Sequence, residues 1–275
     1  MNLLVRPFRL VFALTLLCGC GRESLPTEPT ATRTPPATQV TLYIAGNWQF
    51  SATPTMPKAL PLTIAGSISQ NGAALSSALH IEGSKCFDRL TTIGFSGTVS
   101  AGTISLISAA IEGQVVTLTG NFGNTAFAGT YRIKGGCADG EMGKVIGNNI
   151  PYIGNTLSGS LTNSANRTFD VAGEIAQSGN ANSDGSFELS GTSIFDTPCF
   201  KSGTIKPGMF PSGSFILGTT VSLEFETGNG TLAFLGTLSQ DRSEISGNYA
   251  IAGGTCEDSG TAVLSVSSAW DPWDY

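Results

Sequence analysis

Residues 127–137, "FAGTYRIKGGC", return as "ISGNYAIAGGTC" at 245–256. In the first stretch Phe127, Tyr131 and Ile133 alternate with Thr130, Arg132 and Lys134, so one face is apolar and the other wet. A period of two belongs to a strand of an antiparallel sheet packed on one side. Working outward, "GSISQNG" (66–72) returns as "GEIAQSG" (173–179), and "LHIEG" (79–83) as "FELSG" (187–191). The offset between copies grows from 173 − 66 = 107 to 256 − 137 = 119, which places insertions in loops of the second copy. The chain reads as a duplication of a unit of about a hundred residues, the size of one domain.

The same alternation runs through Leu62, Ile64 and Ile68, and through Val116, Leu118 and Phe122. Runs bounded by Gly, Asn, Asp or Ser give roughly eight short strands per copy. Gly120, Gly129, Gly236 and Gly247 fall in register with apolar positions, where a strand bends or a bulky neighbour crosses it. The expected fold is all-β: two tandem antiparallel barrels, with two sandwiches as the alternative.

The N-terminus carries Arg6 and Arg9, then an apolar run to Leu17, then small residues, the order of an export signal and too short to span a bilayer. Leu17-Cys18-Gly19-Cys20 resembles the lipobox of bacterial lipoproteins. The resemblance implies cleavage after Gly19 and acylation of Cys20, which anchors the protein without spanning. Two or three acyl chains make release from a membrane slow. In that class an Asp after the lipidated cysteine favours inner-membrane retention; Gly21 here points to the outer membrane.

Discarding Cys18 and acylating Cys20 leaves Cys86, Cys137, Cys199 and Cys256 of six cysteines, an even set in an oxidising compartment. Each copy holds one early and one late cysteine, so self-contained units pair Cys86 with Cys137 and Cys199 with Cys256. The expected division is a signal at 1–19, the lipidated cysteine and a Pro/Thr-rich tether at 20–39, β units at 40–147 and 148–268, and an aromatic, acidic tail at 269–275.

Loss of two signal arginines from 14 basic residues leaves 12 against 20 acidic ones, a charge of −8. An acidic surface argues against nucleic acid as a partner. The cysteines lack metal-ligand spacing and no cofactor motif is present, so neither metal nor cofactor is expected. His80 stands alone without a G-x-S-x-G elbow, aligns with Glu188 of the second copy, and is expected on a solvated strand face. Asp139 and Asp258 each follow a cysteine by two and are expected to bond turn amides. "GNWQF" (46–50) resembles the G-x-W of lipocalins, which makes Trp48 a weak ligand-binding candidate beside its reading as a core aromatic; the second copy has Gly154-Asn155-Thr156 there.

The expectation is a non-catalytic, outer-membrane-anchored lipoprotein that acts as a binding or scaffold module for protein or envelope polymer. One alternative is a carrier of a small apolar ligand inside the barrels, which an eight-stranded barrel has room for. The other is an envelope hydrolase. A membrane-spanning barrel is set aside because its strands would need nine to eleven residues.

Overall fold

The computed structural model describes residues 42–57, 59–123 and 125–268. The signal, Cys20, the tether and the tail at 269–275 lie outside them. The first copy supplies β1 (Gly46–Pro54), β2 (Leu62–Asn71), β3 (Ala74–Glu82), β4 (Ile93–Ser100), β5 (Thr103–Ser108), β6 (Val115–Phe122), β7 (Ala126–Lys134) and β8 (Met142–Ile150). Every neighbour is antiparallel, and β1 pairs with both β2 and β8, so the sheet closes as a barrel.

The second copy supplies β9 (Ile153–Asn163), β10 (Thr168–Gln177), β11 (Phe187–Phe195), β12 (Ser202–Ile205), β13 (Phe215–Leu217), β14 (Thr220–Thr227), β15 (Gly230–Leu238), β16 (Glu244–Ala252) and β17 (Asp258–Ser268). Its ring closes through β10 and β11. Here β12 and β13 share one stave, both pairing with β11 and β14. The division between barrels falls at Pro151-Tyr152, because β8 runs on past the 147/148 boundary to Ile150.

Both rings have the same stagger. From Gly46 the cross-strand neighbours run through Ile68, Ser77, Phe95, Ser108, Val116, Ile133 and Glu141 to Met56, 56 − 46 = 10 residues along. From Asn155 they run through Ile175, Gly191, Ile205, Phe225, Leu232, Ile251 and Asp258 to Ala165, again 165 − 155 = 10. Strand number and stagger fix a barrel's girth, and eight strands leave a bore that side chains fill.

Alternate residues of each strand fill those bores. In the first barrel Trp48 stacks on Phe50 at 5.5 Å, and Phe50 meets Phe127 edge-on at 5.7 Å. β8 makes room with glycine: a Cβ on Gly147 would lie 2.3 Å from the Phe50 ring, and one on Gly143 2.7 Å from Tyr131. The expected glycines behave alike, since Gly120 pairs with Gly129 under the Phe127 ring and Gly236 with Gly247 beside Phe234.

Several strands reach nine to eleven residues, against the expectation of shorter ones. The faces are nevertheless the reverse of a membrane-spanning barrel, with apolar interiors and outward Thr130, Arg132 and Lys134.

Register corrects the sequence alignment of the copies. Gly66 pairs with Leu79, but its counterpart Gly173 pairs with Ser193, so "LHIEG" and "FELSG" are not equivalent. Ala65 faces His80 and its counterpart Ala172 faces Ile194, which puts Ile194, not Glu188, in the place of His80. The β10–β11 loop uses nine residues, 178–186, where the β2–β3 turn uses two, Gly72 and Ala73. A second insertion lies inside a strand rather than in a loop: residues 206–214 bulge out between β12 and β13, where two residues of β14 pass.

Candidate functional site

These two insertions hold the barrels together. From the longer loop, Asp184 presents its carbonyl to His80 Nε2 at 2.8 Å, and Gly185 (φ +85°) packs so closely that a Cβ would lie 2.1 Å from Ala78 O. From the bulge, the Phe210 ring lies 4.7 Å from the His80 ring. Beside them Asn47 exchanges two hydrogen bonds with Gly218, and Gln49 Oε1 accepts the Thr219 N–H at 3.1 Å. Arg242 Nη2 donates to Asn149 O at 3.0 Å.

His80 is therefore on the outward face of β3 as expected, yet only 2% exposed, because the second barrel covers it. Its Nδ1 lies 3.1 Å from Arg89 O, so both ring nitrogens face backbone carbonyls. A residue expected in water is an interface residue.

The two disulfides are Cys86–Cys137 and Cys199–Cys256, one per barrel. Each joins the loop after the third strand to the turn after the seventh stave, and an amide side chain braces it. Gln114 Nε2 donates to Cys86 O and its Oε1 accepts the Ala138 N–H; Asn229 Nδ2 donates to Cys199 O and its Oδ1 accepts the Thr255 N–H.

Asp139 accepts the Gly135 turn amide at 2.7 Å, and Asp258 accepts the Ser259 amide at 2.9 Å. They are not equivalent, however. Tyr131 donates to Glu141 at 2.9 Å as Tyr249 does to Asp258 at 3.5 Å, so Glu141 is the counterpart of Asp258. Burial above all raises the pKa of both phenols, with Glu141 and Asp258 adding to it, and Tyr249 is pushed up to about 12.

Trp48 is 1% exposed and donates its indole N–H to Ile44 O at 2.9 Å, a satisfied core aromatic. The void beside it, walled by Phe50, Ile104, Leu118 and Phe127, measures about 10 Å³. That is room for one water at most. Leu157 occupies the matching core position of the second barrel, rather than Thr156.

A cleft of about 380 Å³ opens where the barrels meet. Its walls come from the segments entering and leaving the first barrel, the Pro151-Tyr152 link and the longer β10–β11 loop. Among the described residues no Asp, Glu, His, Lys or Arg lines it; amides, hydroxyls and aromatic rings do. The volume is in the range of small-ligand sites, which favour such junctions. Among the described residues no group of three His, Cys, Asp or Glu could hold a metal, and no helix is long and apolar enough to cross a membrane.

Sequence reading missed this cleft and the residues that shape it. The signal was present: "YIAGNW" (43–48) and "YIGNTL" (152–157) are another copy pair.

No family model matches the chain, and no curated protein matches it. Among solved structures it is similar to kievitone hydratase from Nectria haematococca, at 8% identity and TM-score 0.25, covering 82% of this chain and 89% of that one. It is also similar to a protein described as AttH from Nitrosomonas europaea, at 10% and 0.22, covering 80% and 91%. A porin-like protein from Bacteroides uniformis follows at 13% and 0.16, covering 82% and 96%. The barrel architecture rests on the closed strand pairing, not on these likenesses.

Proposed function

We propose that this chain is an outer-membrane lipoprotein, acylated at Cys20, whose twin-barrel body is a non-catalytic binding module of the cell envelope. The observation that carries the reading is the inter-barrel cleft: a preformed concave site, without a charged side chain among the described residues that line it, and walled by a loop that only the second copy possesses. The described residues that line it include no carboxylate, imidazole, thiol or amine, and of its two phenols, Tyr43 and Tyr152, the latter donates its hydroxyl to the Gln177 carbonyl, so the walls offer a ligand contacts more than proton transfer. Asp139 and Asp258, the carboxylates beside the disulfides, each hold a backbone amide within their own barrel. The bore of the first barrel, filled by Trp48 and its neighbours, gives an apolar cargo no room, which disfavours the carrier alternative.

Metabolic labelling with a palmitate analogue, followed by envelope fractionation, tests the anchor. Wild-type protein takes up label and sediments with the outer membrane, whereas Cys20→Ala takes up none and is soluble. Equal labelling of the two, or unlabelled wild-type protein, contradicts the reading.

A further inference from the structure

The cleft is built from the same element twice. Gln70 Oε1 accepts the Ile44 N–H at 2.8 Å while its Nε2 donates to Leu42 O and Gly72 O, which fixes the segment carrying Tyr43. In the second barrel Gln177 Oε1 accepts the Ile153 N–H at 3.1 Å, and its carbonyl accepts the Tyr152 hydroxyl. Ile44 with Gln70 and Ile153 with Gln177 are corresponding pairs of the duplication, so each copy brings a tyrosine to one shared cavity, Tyr43 on a braced backbone segment and Tyr152 held at its hydroxyl. An aromatic held at its hydroxyl is preorganised, and binding does not have to order it.

Two further lining side chains, the amides of Asn149 and Asn180, make no hydrogen bond among the described residues, and both reach the cleft. Each offers a donor pair and an acceptor in a plane. With no charged side chain among the described lining residues, an ionic ligand would lose water and gain no counter-charge there. A peptide strand finds no place either, since both sheets are closed and present no unpaired edge at the cleft. What suits fixed aromatic faces beside amides and hydroxyls is a molecule with a C–H face and a rim of hydroxyls.

We propose that the inter-barrel cleft binds a neutral saccharide, stacked on Tyr152 and hydrogen-bonded by Asn149 and Asn180; this rests on the envelope-binding role proposed above. The test is calorimetric titration of the full-length protein in a non-glycosidic detergent. The probes are neutral trisaccharides of glucose, galactose and N-acetylglucosamine, with trigalacturonate as the charged control. At least one neutral sugar binds, trigalacturonate does not, and Asn149→Ala and Asn180→Ala each weaken binding about tenfold with unchanged melting, the loss expected of a hydrogen bond. Asn180 is exposed, so that variant folds even if Asn149→Ala does not. No binding by any neutral sugar at about 10 mM, equal binding of the charged one, or equal affinity in the variants overturns the proposal. Such a failure in protein that still takes up palmitate label counts against the saccharide alone; absent label counts against the envelope role.

Discussion

Asn47 and Gly218 bond each other in both directions across the junction of the barrels: Asn47 Nδ2 donates to Gly218 O at 2.9 Å, and Asn47 Oδ1 accepts the Gly218 N–H at 2.8 Å. Both bonds are buried, and one side chain satisfies a donor and an acceptor of the other barrel. Asn47→Ala leaves both backbone groups without partners, so a loss of about 1–3 kcal/mol in denaturant unfolding is expected. Asn47→Asp keeps the acceptor and places a carboxylate against a carbonyl; it is expected to be no better than alanine. Wild-type stability in both variants would mean that the contact does not form.

Glycines test the interface from the other side. Gly185 and Gly72 both have positive φ, +85° and +60°, but a Cβ on Gly185 would meet Ala78 O at 2.1 Å while one on Gly72 meets nothing within 4 Å. Alanine at Gly72 costs about 1 kcal/mol, the backbone penalty alone. At Gly185 the backbone penalty and a steric clash combine, so thermal unfolding of Gly185→Ala is expected well below that of Gly72→Ala. Equal melting temperatures would count against close packing of the barrels.

Each disulfide closes a long loop, with separations of 51 and 57 residues. The chain-entropy account gives about 4 kcal/mol apiece as an upper figure. Cys86→Ser with Cys137→Ser is expected to lower stability by about 2–4 kcal/mol, and non-reducing peptide mapping to find no peptide joining the two barrels.

The tyrosine–carboxylate pairs set the alkaline limit. Tyr131 and Tyr249 have folded pKa values raised above the ordinary 10.0, Tyr249 to about 12, through burial first and then Glu141 and Asp258. A raised value means that the folded chain holds these protons more tightly than the unfolded one. The stability they contribute is therefore intact below pH 10 and is lost as pH rises towards 12. Tyr131→Phe with Tyr249→Phe is expected to flatten the fall in melting temperature across that window; an unchanged slope would assign it to other groups.

The duplication, the strands, the closure into barrels and the two disulfides were legible because alternation and cysteine spacing are local signals. His80 shows where that legibility ends. Its strand face was read correctly, but a residue facing outward from one barrel can be buried by another, and no local pattern reports it. The pairing of His80 with Glu188 failed for a related reason: an insertion in the preceding hairpin shifts register without altering the alternation that suggested the match. The cleft was hidden because its walls lie far apart in sequence, although the recurrence of Tyr-Ile at 43–44 and 152–153 was there to be read.

That the two barrels form one body, with a rigid cleft between them, is the claim on which the site depends. Hydrogen exchange followed against denaturant measures it directly, using core amides such as Leu118 of the first barrel and Leu223 of the second, both buried. A single body gives both amides the same opening free energy and the same denaturant slope. One barrel exchanging through a separate opening of lower energy while the other stays protected would contradict it.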